Sequence, residues 1–115
     1  MKNKIIVKPW GSEELIEYNK KYMVKKLIMK EGHQCSLQFH KKKIETIYVL
    51  EGRLKIFFGK NEKKLKSKTF KKGETITLVP KIVHRMRAIK KSTYLEASTP
   101  EMEDVVRIQD DYKRI

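Results

Sequence analysis

The residues of this chain with the clearest capacity for metal chemistry are Gln38, His40, Glu45 and His84. Because side chains alternate across a strand, Gln38 and His40 share one face of a predicted strand. If residues 41–44 form a hairpin loop, Glu45 returns beside His40, while His84 begins another strand much later. Two imidazoles, a carboxylate and an amide oxygen are a suitable ligand set for Zn²⁺, Mn²⁺, Ni²⁺ or Fe²⁺. Spacing alone leaves open the alternative that each is an ordinary strand residue.

The segments that carry these residues are rich in β-branched and aromatic side chains, which is typical of short strands. Seven strands are predicted, over residues 22–30, 35–40, 45–50, 53–58, 75–79, 84–89 and 93–97. Glu51-Gly52, between two of them, predicts a tight hairpin. Segment 12–19 carries a weak helical signal, with Ser12 as a candidate cap. Regularly spaced short strands indicate an all-β sandwich or barrel, in a single domain over residues 1–115.

The charge balance is strongly basic. The chain has 28 Lys and Arg residues against 14 Asp and Glu, a formal net charge of +14. Such an excess favours phosphate-bearing partners, either nucleic acid or a small anionic substrate. However, 23 of the cations are lysine and five are arginine, the residue that contacts phosphate and guanine bidentately. A lysine-coated surface is therefore favoured over nucleic-acid binding.

Cysteine content and hydropathy bear on compartment and partners. The single Cys35 cannot form an internal disulfide, which excludes disulfide scaffolds and zinc fingers and favours a cytoplasmic setting. No apolar stretch is long enough to span a membrane, and the first residues lack the apolar core of a signal peptide. Cys35, Leu37 and Phe39 alternate on the face of their strand opposite Gln38. Since an exposed apolar face needs a cover, we expect a homodimer.

Two motifs of the chain resemble those of the cupin superfamily. The spacing of Gly32, Gln38-Phe39-His40, Glu45 and Gly52 resembles the first cupin motif, with Gln38 in place of that motif's first histidine. Gly73 and His84 keep the separation of the second motif, although Lys81-Ile82 replaces its usual glycine region.

More specifically, the chain resembles the C-terminal cupin domain of type II phosphomannose isomerases, which is often fused to a mannose-1-phosphate guanylyltransferase. Lys8-Pro9-Trp10-Gly11-Ser12 is similar to that family's Arg-Pro-Trp-Gly-Ser, and His84-Arg85-Met86 to its His-Arg-Leu. The ending from Asp104 to Arg114 parallels its Asp-Ile-Val-Arg-Phe-Glu-Asp-Asp-Tyr-Gly-Arg. The resemblance covers residues 7–114.

This resemblance implies a cupin jelly-roll barrel, or double-stranded β-helix, that binds one divalent metal ion. Its implied ligands are Gln38, His40, Glu45 and His84, with zinc the preferred ion and manganese, nickel or iron as alternatives. The implied activity is mannose-6-phosphate isomerase-like, an aldose–ketose isomerisation of a sugar 6-phosphate through an enediolate.

The resemblance also implies roles for residues outside the metal ligands. Glu96 takes the place of a glutamate in a comparable family strand and is the candidate proton carrier. Arg85 is the first candidate for binding the phosphate, followed by Lys25 and Lys26. Arg85 directly follows His84, however, so in a strand without a bulge it points to the opposite face.

One segment departs from the family pattern. Between the metal-binding histidine and glutamate the family usually has His-His-Arg-Ala, and this chain has Lys41-Lys42-Lys43-Ile44. Lys43, the second catalytic candidate, keeps the charge of the arginine but lacks its planar fork. Two function classes therefore stay open, an isomerase and a non-catalytic cupin that binds a sugar or nucleotide sugar. A metal-dependent dioxygenase is disfavoured because Gln38 replaces a histidine of the common iron sets.

Overall fold

The computed structural model describes residues 3–114, whose regular structure consists of antiparallel strands. The strands are β1 (Lys4–Lys8), β2 (Gly11–Tyr18), β3 (Met23–Met29), β4 (Leu37–His40), β5 (Glu45–Gly59), β6 (Lys66–Lys71), β7 (Thr75–Leu78), β8 (Val83–Ser98) and β9 (Val105–Gln109). The helical signal in segment 12–19 is wrong, because β2 pairs with β1 on one side and β3 on the other. These described residues contain no helix with the length and apolar character that a membrane crossing requires.

The strands form one sheet that curls over on itself. The order β1-β2-β3-β8-β4-β9 makes up one part, and β5 pairs with β6, β7 and β8 in the other. The two longest strands, β5 with 15 residues and β8 with 16, pair with each other and so join the parts. This curled antiparallel architecture confirms the prediction of an all-β cupin jelly roll.

Glu51-Gly52 does not form the predicted hairpin, because β5 continues through it. The register between β5 and β8 shifts around Glu51 and Arg53. Gly52 has a φ of 90°, and a Cβ at this position would lie 2.3 Å from the carbonyl oxygen of Lys91. Glycine thus permits an irregular bend and a close approach of backbone within a continuous strand.

The core lies against the inner faces of β5 and β8. Along β5 the alternating residues Ile47, Val49, Leu54 and Ile56 are fully buried. Leu37 is also buried, at 3% exposure, so its own chain covers part of the apolar face on which the homodimer prediction was based. The homodimer itself stays a prediction.

Candidate metal and substrate site

Three side chains predicted to bind metal come together in the structure. The ligand atoms of His40, Glu45 and His84 all lie within 4.8 Å of one another. Glu45 Oε1 is 2.8 Å from His40 Nε2 and 3.4 Å from His84 Nε2. The three residues are buried, with exposed fractions of 5% for His40 and 1% for the other two.

The polar atoms of this group lack hydrogen-bond partners within residues 3–114. They are both ring nitrogens of His40, both carboxylate oxygens of Glu45 and Nε2 of His84. Burying such atoms without hydrogen-bond partners costs roughly several kcal/mol, and one cation bound by all three side chains would offset this cost. Nδ1 of His84 donates to the carbonyl oxygen of Ile82 at 3.0 Å, which leaves the Nε2 lone pair free, as in metal-binding histidines. The donor set therefore fits a divalent metal ion.

Glu45 reaches His40 without the predicted hairpin. Within the described residues β4 pairs with β8 and β9, whereas β5 pairs with β6, β7 and β8. The intervening segment crosses between the two parts of the sheet and is held by side chains. Asp104 Oδ2 accepts hydrogen bonds from the backbone N–H groups of Lys42 and Lys43 at 2.7 and 2.8 Å. The hairpin prediction is wrong, although the proximity that it was meant to explain is present.

Gln38 lies beside the three-residue group. It is directly opposite His84 in the β4–β8 ladder and lines the same cavity as His40. Its Oε1 atom accepts a hydrogen bond from Ser36 Oγ at 2.5 Å, so the oxygen that could bind a metal already has one partner. Its role as a fourth ligand stays a prediction.

Glu96 and Lys43 form a buried charged pair near the metal group. Lys43 Nζ is 3.8 Å from Glu96 Oε1, and the residues are 5% and 8% exposed. Burial raises the pKa of Glu96 well above its usual range, and the negative charge of Glu45 adds to this. Burial alone would lower the pKa of Lys43, but the charges of Glu96 and Glu45 outweigh it and raise that pKa.

The pKa of Glu45 is shifted in the opposite direction from that of Glu96. Burial works to raise it, but the close polar contacts of its carboxylate with Glu96, His40 and His84 outweigh burial and hold the Glu45 pKa well below its usual range. The pKa values of these two neighbouring carboxyl groups are therefore shifted in opposite directions. Neighbouring groups with separated pKa values are typical of acid–base sites.

His40, Lys43 and Glu96 border a cavity of about 500 Å³. Its lining includes six cations, namely Lys4, Lys8, Lys25, Lys43, Arg107 and Arg114. The carboxylates in the lining are Glu13 and Glu96, and the side walls include Trp10 and Tyr94. A concave site of this size with an excess of positive charge suits a small anionic ligand.

The structure brings one of the three predicted phosphate-binding residues to the cavity. Lys25 lines it, with Nζ 3.1 Å from Glu13 Oε1, whereas Lys26 is the next residue of β3 and lies on its other face. Arg85 likewise follows the inward-facing His84. Its Nε donates to the carbonyl oxygen of Cys35 at 2.9 Å, and it contributes no surface to the cavity. Alternation along the strands accounts for both placements.

Several cavity residues were missed in the sequence because their strands were missed. Lys4 and Lys8 lie on β1, and Arg107 lies on β9. The pattern Lys4-x-Ile6-x-Lys8 is a strand-like alternation that could have signalled the first two. Cys35 also lines the cavity rather than facing away from Gln38, because β4 begins at Leu37 and the alternation does not extend back to residue 35. Burial raises the pKa of Cys35 to about 11, so it is a neutral thiol at pH 7.

Comparison with known proteins finds relatives in mannose phosphate metabolism. The chain is 36% identical over 58 residues to mannose-1-phosphate guanylyltransferase 2 of Escherichia coli O157:H7, which covers 50% of this chain and 12% of that protein. It is 29% identical over 119 residues to mannose-1-phosphate guanylyltransferase ManC of Salmonella typhimurium strain LT2, which covers 96% of this chain and 23% of that protein. The chain thus spans less than a quarter of the length of these two relatives.

Structural and family comparisons agree on the fold. The capsular polysaccharide assembling protein CapF from Staphylococcus aureus superimposes with a TM-score of 0.82 at 17% identity, over 94% of this chain and 34% of CapF. This likeness supports the cupin fold alone. The family model for the C-terminal domain of mannose-6-phosphate isomerase matches residues 1–110. The chain therefore belongs to the mannose-6-phosphate isomerase C-terminal family of cupin domains.

Proposed function

We propose that this chain is a metal-dependent sugar-phosphate isomerase that interconverts an aldose 6-phosphate and its ketose, with mannose 6-phosphate and fructose 6-phosphate as the first pair to test. One observation carries the proposal: the unpartnered group His40, Glu45 and His84 lies next to the buried Glu96–Lys43 pair beside a cationic cavity. Membership of the mannose-6-phosphate isomerase C-terminal family supports the same chemistry. An aldose–ketose isomerisation needs both an electrophile and a proton carrier, and this site offers candidates for each.

The metal site supplies the electrophile in this proposal. A divalent ion bound by His40, Glu45 and His84, with Gln38 as the candidate fourth ligand, would provide positive charge that stabilises an enediolate at the C1 and C2 oxygens. Imidazole and carboxylate donors suit zinc, which we prefer, and also manganese, nickel and iron.

Glu96 is the proposed proton carrier and Lys43 its partner. The carboxylate form of Glu96 takes the proton from C2 of the aldose and returns it to C1, while the hydroxyl proton moves from O2 to O1, so the numbers of atoms and protons balance. The raised pKa of Glu96 makes it a stronger base than an exposed carboxylate. Lys43 stays protonated and orients the Glu96 carboxylate through their 3.8 Å contact.

The test measures metal content and turnover on the same preparation. Tag-free protein is analysed for metal atoms per chain, loaded with that metal, and assayed for interconversion of mannose 6-phosphate and fructose 6-phosphate. We expect about one equivalent of metal and measurable turnover. Protein with a full equivalent of metal that interconverts no hexose 6-phosphate would contradict the proposal.

A second candidate is a non-catalytic cupin that binds a sugar or nucleotide sugar. Lys43 favours it, because a lysine stands where the resembling family usually has an arginine. The two relatives named as guanylyltransferases make GDP-mannose a sensible probe. A rise in melting temperature with GDP-mannose, together with full metal content and no isomerisation, would select this candidate.

The setting of the proposed reaction follows from its substrate. Charged sugar phosphates do not cross membranes unaided, so we propose a cytoplasmic protein, in agreement with its single free Cys35. The homodimer expected from the sequence is tested by light scattering on purified protein.

A further inference from the structure

We propose that Arg107, together with Lys4 and Lys8, binds the phosphate group of the substrate. The inference rests on the proposed function, because it takes the ligand of the cavity to be phosphorylated. It assigns to residues of β9 and β1 the role that the sequence predicted for Arg85, Lys25 and Lys26.

Arg107 is a half-buried cation in the cavity wall, and its Nε atom is fully enclosed. It lies directly across the β4–β9 ladder from Gln38, and residues in such positions have Cβ atoms about 5 Å apart. Its Nε is buried without a hydrogen-bond partner among residues 3–114, and none of the ion pairs found there includes Arg107. A buried charged donor left unsatisfied is costly, so this guanidinium is suited to an anion that enters the cavity.

Of the other cavity cations, some form ion pairs with carboxylates and some do not. Three are already paired: Lys25 with Glu13, Lys43 with Glu96, and Arg114 with Asp110. Lys4 and Lys8 belong to the inner face of β1, and within the described part of the chain they form no ion pair. The cavity charge available to a ligand therefore comes from Arg107, Lys4 and Lys8.

The strand that carries Arg107 is held in place by side chains on its outer side. The guanidinium of Arg85 donates from Nε to the carbonyl oxygen of Cys35 at 2.9 Å and from Nη2 to that of Gln109 at 3.4 Å. Gln34 Nε2 donates to Asp111 Oδ2 at 2.7 Å just beyond β9. Arg85 is therefore a positioning residue for this site, since it fixes the backbone two residues from Arg107.

These features match a phosphate monoester better than a neutral sugar or a carboxylate. A guanidinium binds two phosphate oxygens at once through its planar fork, and the ammonium groups of two lysines can balance the remaining charge of a dianion. A neutral sugar would supply no negative charge to these three cations.

The experiment compares the affinities of mannose 6-phosphate and mannose by calorimetry on metal-loaded protein. In Arg107→Gln we expect mannose 6-phosphate to bind roughly 10- to 100-fold more weakly, with the affinity for mannose unchanged. Arg107→Lys keeps the positive charge without the planar guanidinium, so its affinity for mannose 6-phosphate should fall less than that of Arg107→Gln. Arg53→Gln is the matched control, because Arg53 is exposed on β5 outside the cavity. Metal content and circular dichroism are recorded for every variant.

Unchanged affinity for mannose 6-phosphate in Arg107→Gln would overturn the inference, as would a wild-type protein with no preference for mannose 6-phosphate over mannose. If Arg107→Gln does not fold, the double variant Lys4→Gln/Lys8→Gln provides the readout, and unchanged affinity there also overturns it. Phosphate-selective binding that depends on Arg107, without any turnover, would support the inference and contradict the isomerase activity. The two proposals thus fail separately.

Discussion

Replacing Glu96 with glutamine tests the proton-transfer step of the proposed reaction. Glutamine has almost the same shape and keeps a carbonyl oxygen near Lys43, but it cannot take a proton from carbon. General base catalysis by a positioned side chain contributes typically 10²- to 10⁴-fold, so we expect kcat to fall by about that factor. A loss of this size corresponds to about 3–5 kcal/mol in the activation barrier.

The same substitution should leave the fold and the metal site intact. The charges of Glu96 and Lys43 are 3.8 Å apart, and at an effective dielectric constant of 20 they attract by roughly 4 kcal/mol. Desolvation of both buried groups offsets most of that attraction, so we expect the free energy of unfolding to change by about 1 kcal/mol. A loss of activity in Glu96→Gln would therefore report on chemistry.

The assay follows isomerisation in H₂O and D₂O with equal metal loading. Wild-type protein should incorporate solvent deuterium at the carbon that receives the proton, and Glu96→Gln should not. Glu51→Gln makes the same chemical change at an exposed position of β5 and serves as the control. A kcat for Glu96→Gln within tenfold of wild type, or undiminished deuterium incorporation, would refute the assignment of Glu96 as the proton carrier.

Three other substitutions test the metal site, the bend in β5 and the C-terminal segment. Glu45→Gln should reduce bound metal from about one atom per chain to a small fraction, measured by elemental analysis after gel filtration, because a neutral amide is a weak ligand. Full retention of metal would contradict the donor set. Gly52→Ala places a Cβ 2.3 Å from the Lys91 carbonyl oxygen at a φ of 90°, so urea unfolding should show a loss of about 1–3 kcal/mol. A stability equal to wild type would mean that β5 bends elsewhere. The carboxylate of Asp110 accepts a hydrogen bond from Nε of Arg114, and this lowers the pKa of Asp110 from 3.8 to about 2. The pair therefore stabilises the protein above pH 3.8, and this contribution is lost as pH falls through about 2. Asp110→Asn should lower the melting temperature at pH 7 and flatten its dependence on pH below 4. An unchanged profile would show that the pair adds nothing.

The inward face of the site was predictable because it depends on local alternation and on motif spacing. His40, Glu45 and His84 were assigned from strand period and resemblance, and all three converge in the structure. Their relation in space was less predictable. The Glu51-Gly52 dipeptide has the local composition of a turn, but pairing with β8, some 40 residues later, keeps β5 continuous. The residues around Gly52 do not by themselves indicate a pairing with a strand so distant in sequence.

The free cations of the cavity were harder to predict for the same reason. Arg107 reaches the cavity because β9 pairs with β4, two strands separated by more than 60 residues of sequence. Such a pairing is stabilised by the assembled sheet and leaves little trace in either strand alone. Arg85 had the stronger motif signal, yet strand alternation from His84 directs it away from the cavity.

Acidic residues near the C-terminus hold in place both the Glu96–Lys43 pair and the strand that carries Arg107. Asp104 accepts hydrogen bonds from the backbone N–H of Lys43, which fixes the segment that carries the partner of Glu96. Asp111 accepts from Gln34 just beyond β9, the strand that carries Arg107. Each carboxylate binds a part of the chain distant in sequence, and neither lines the cavity. Asp104 and Asp111 thus position the proton-transfer pair and the phosphate site without lining the cavity. Their negative charges therefore have a structural role, which is to hold distant parts of the chain in place.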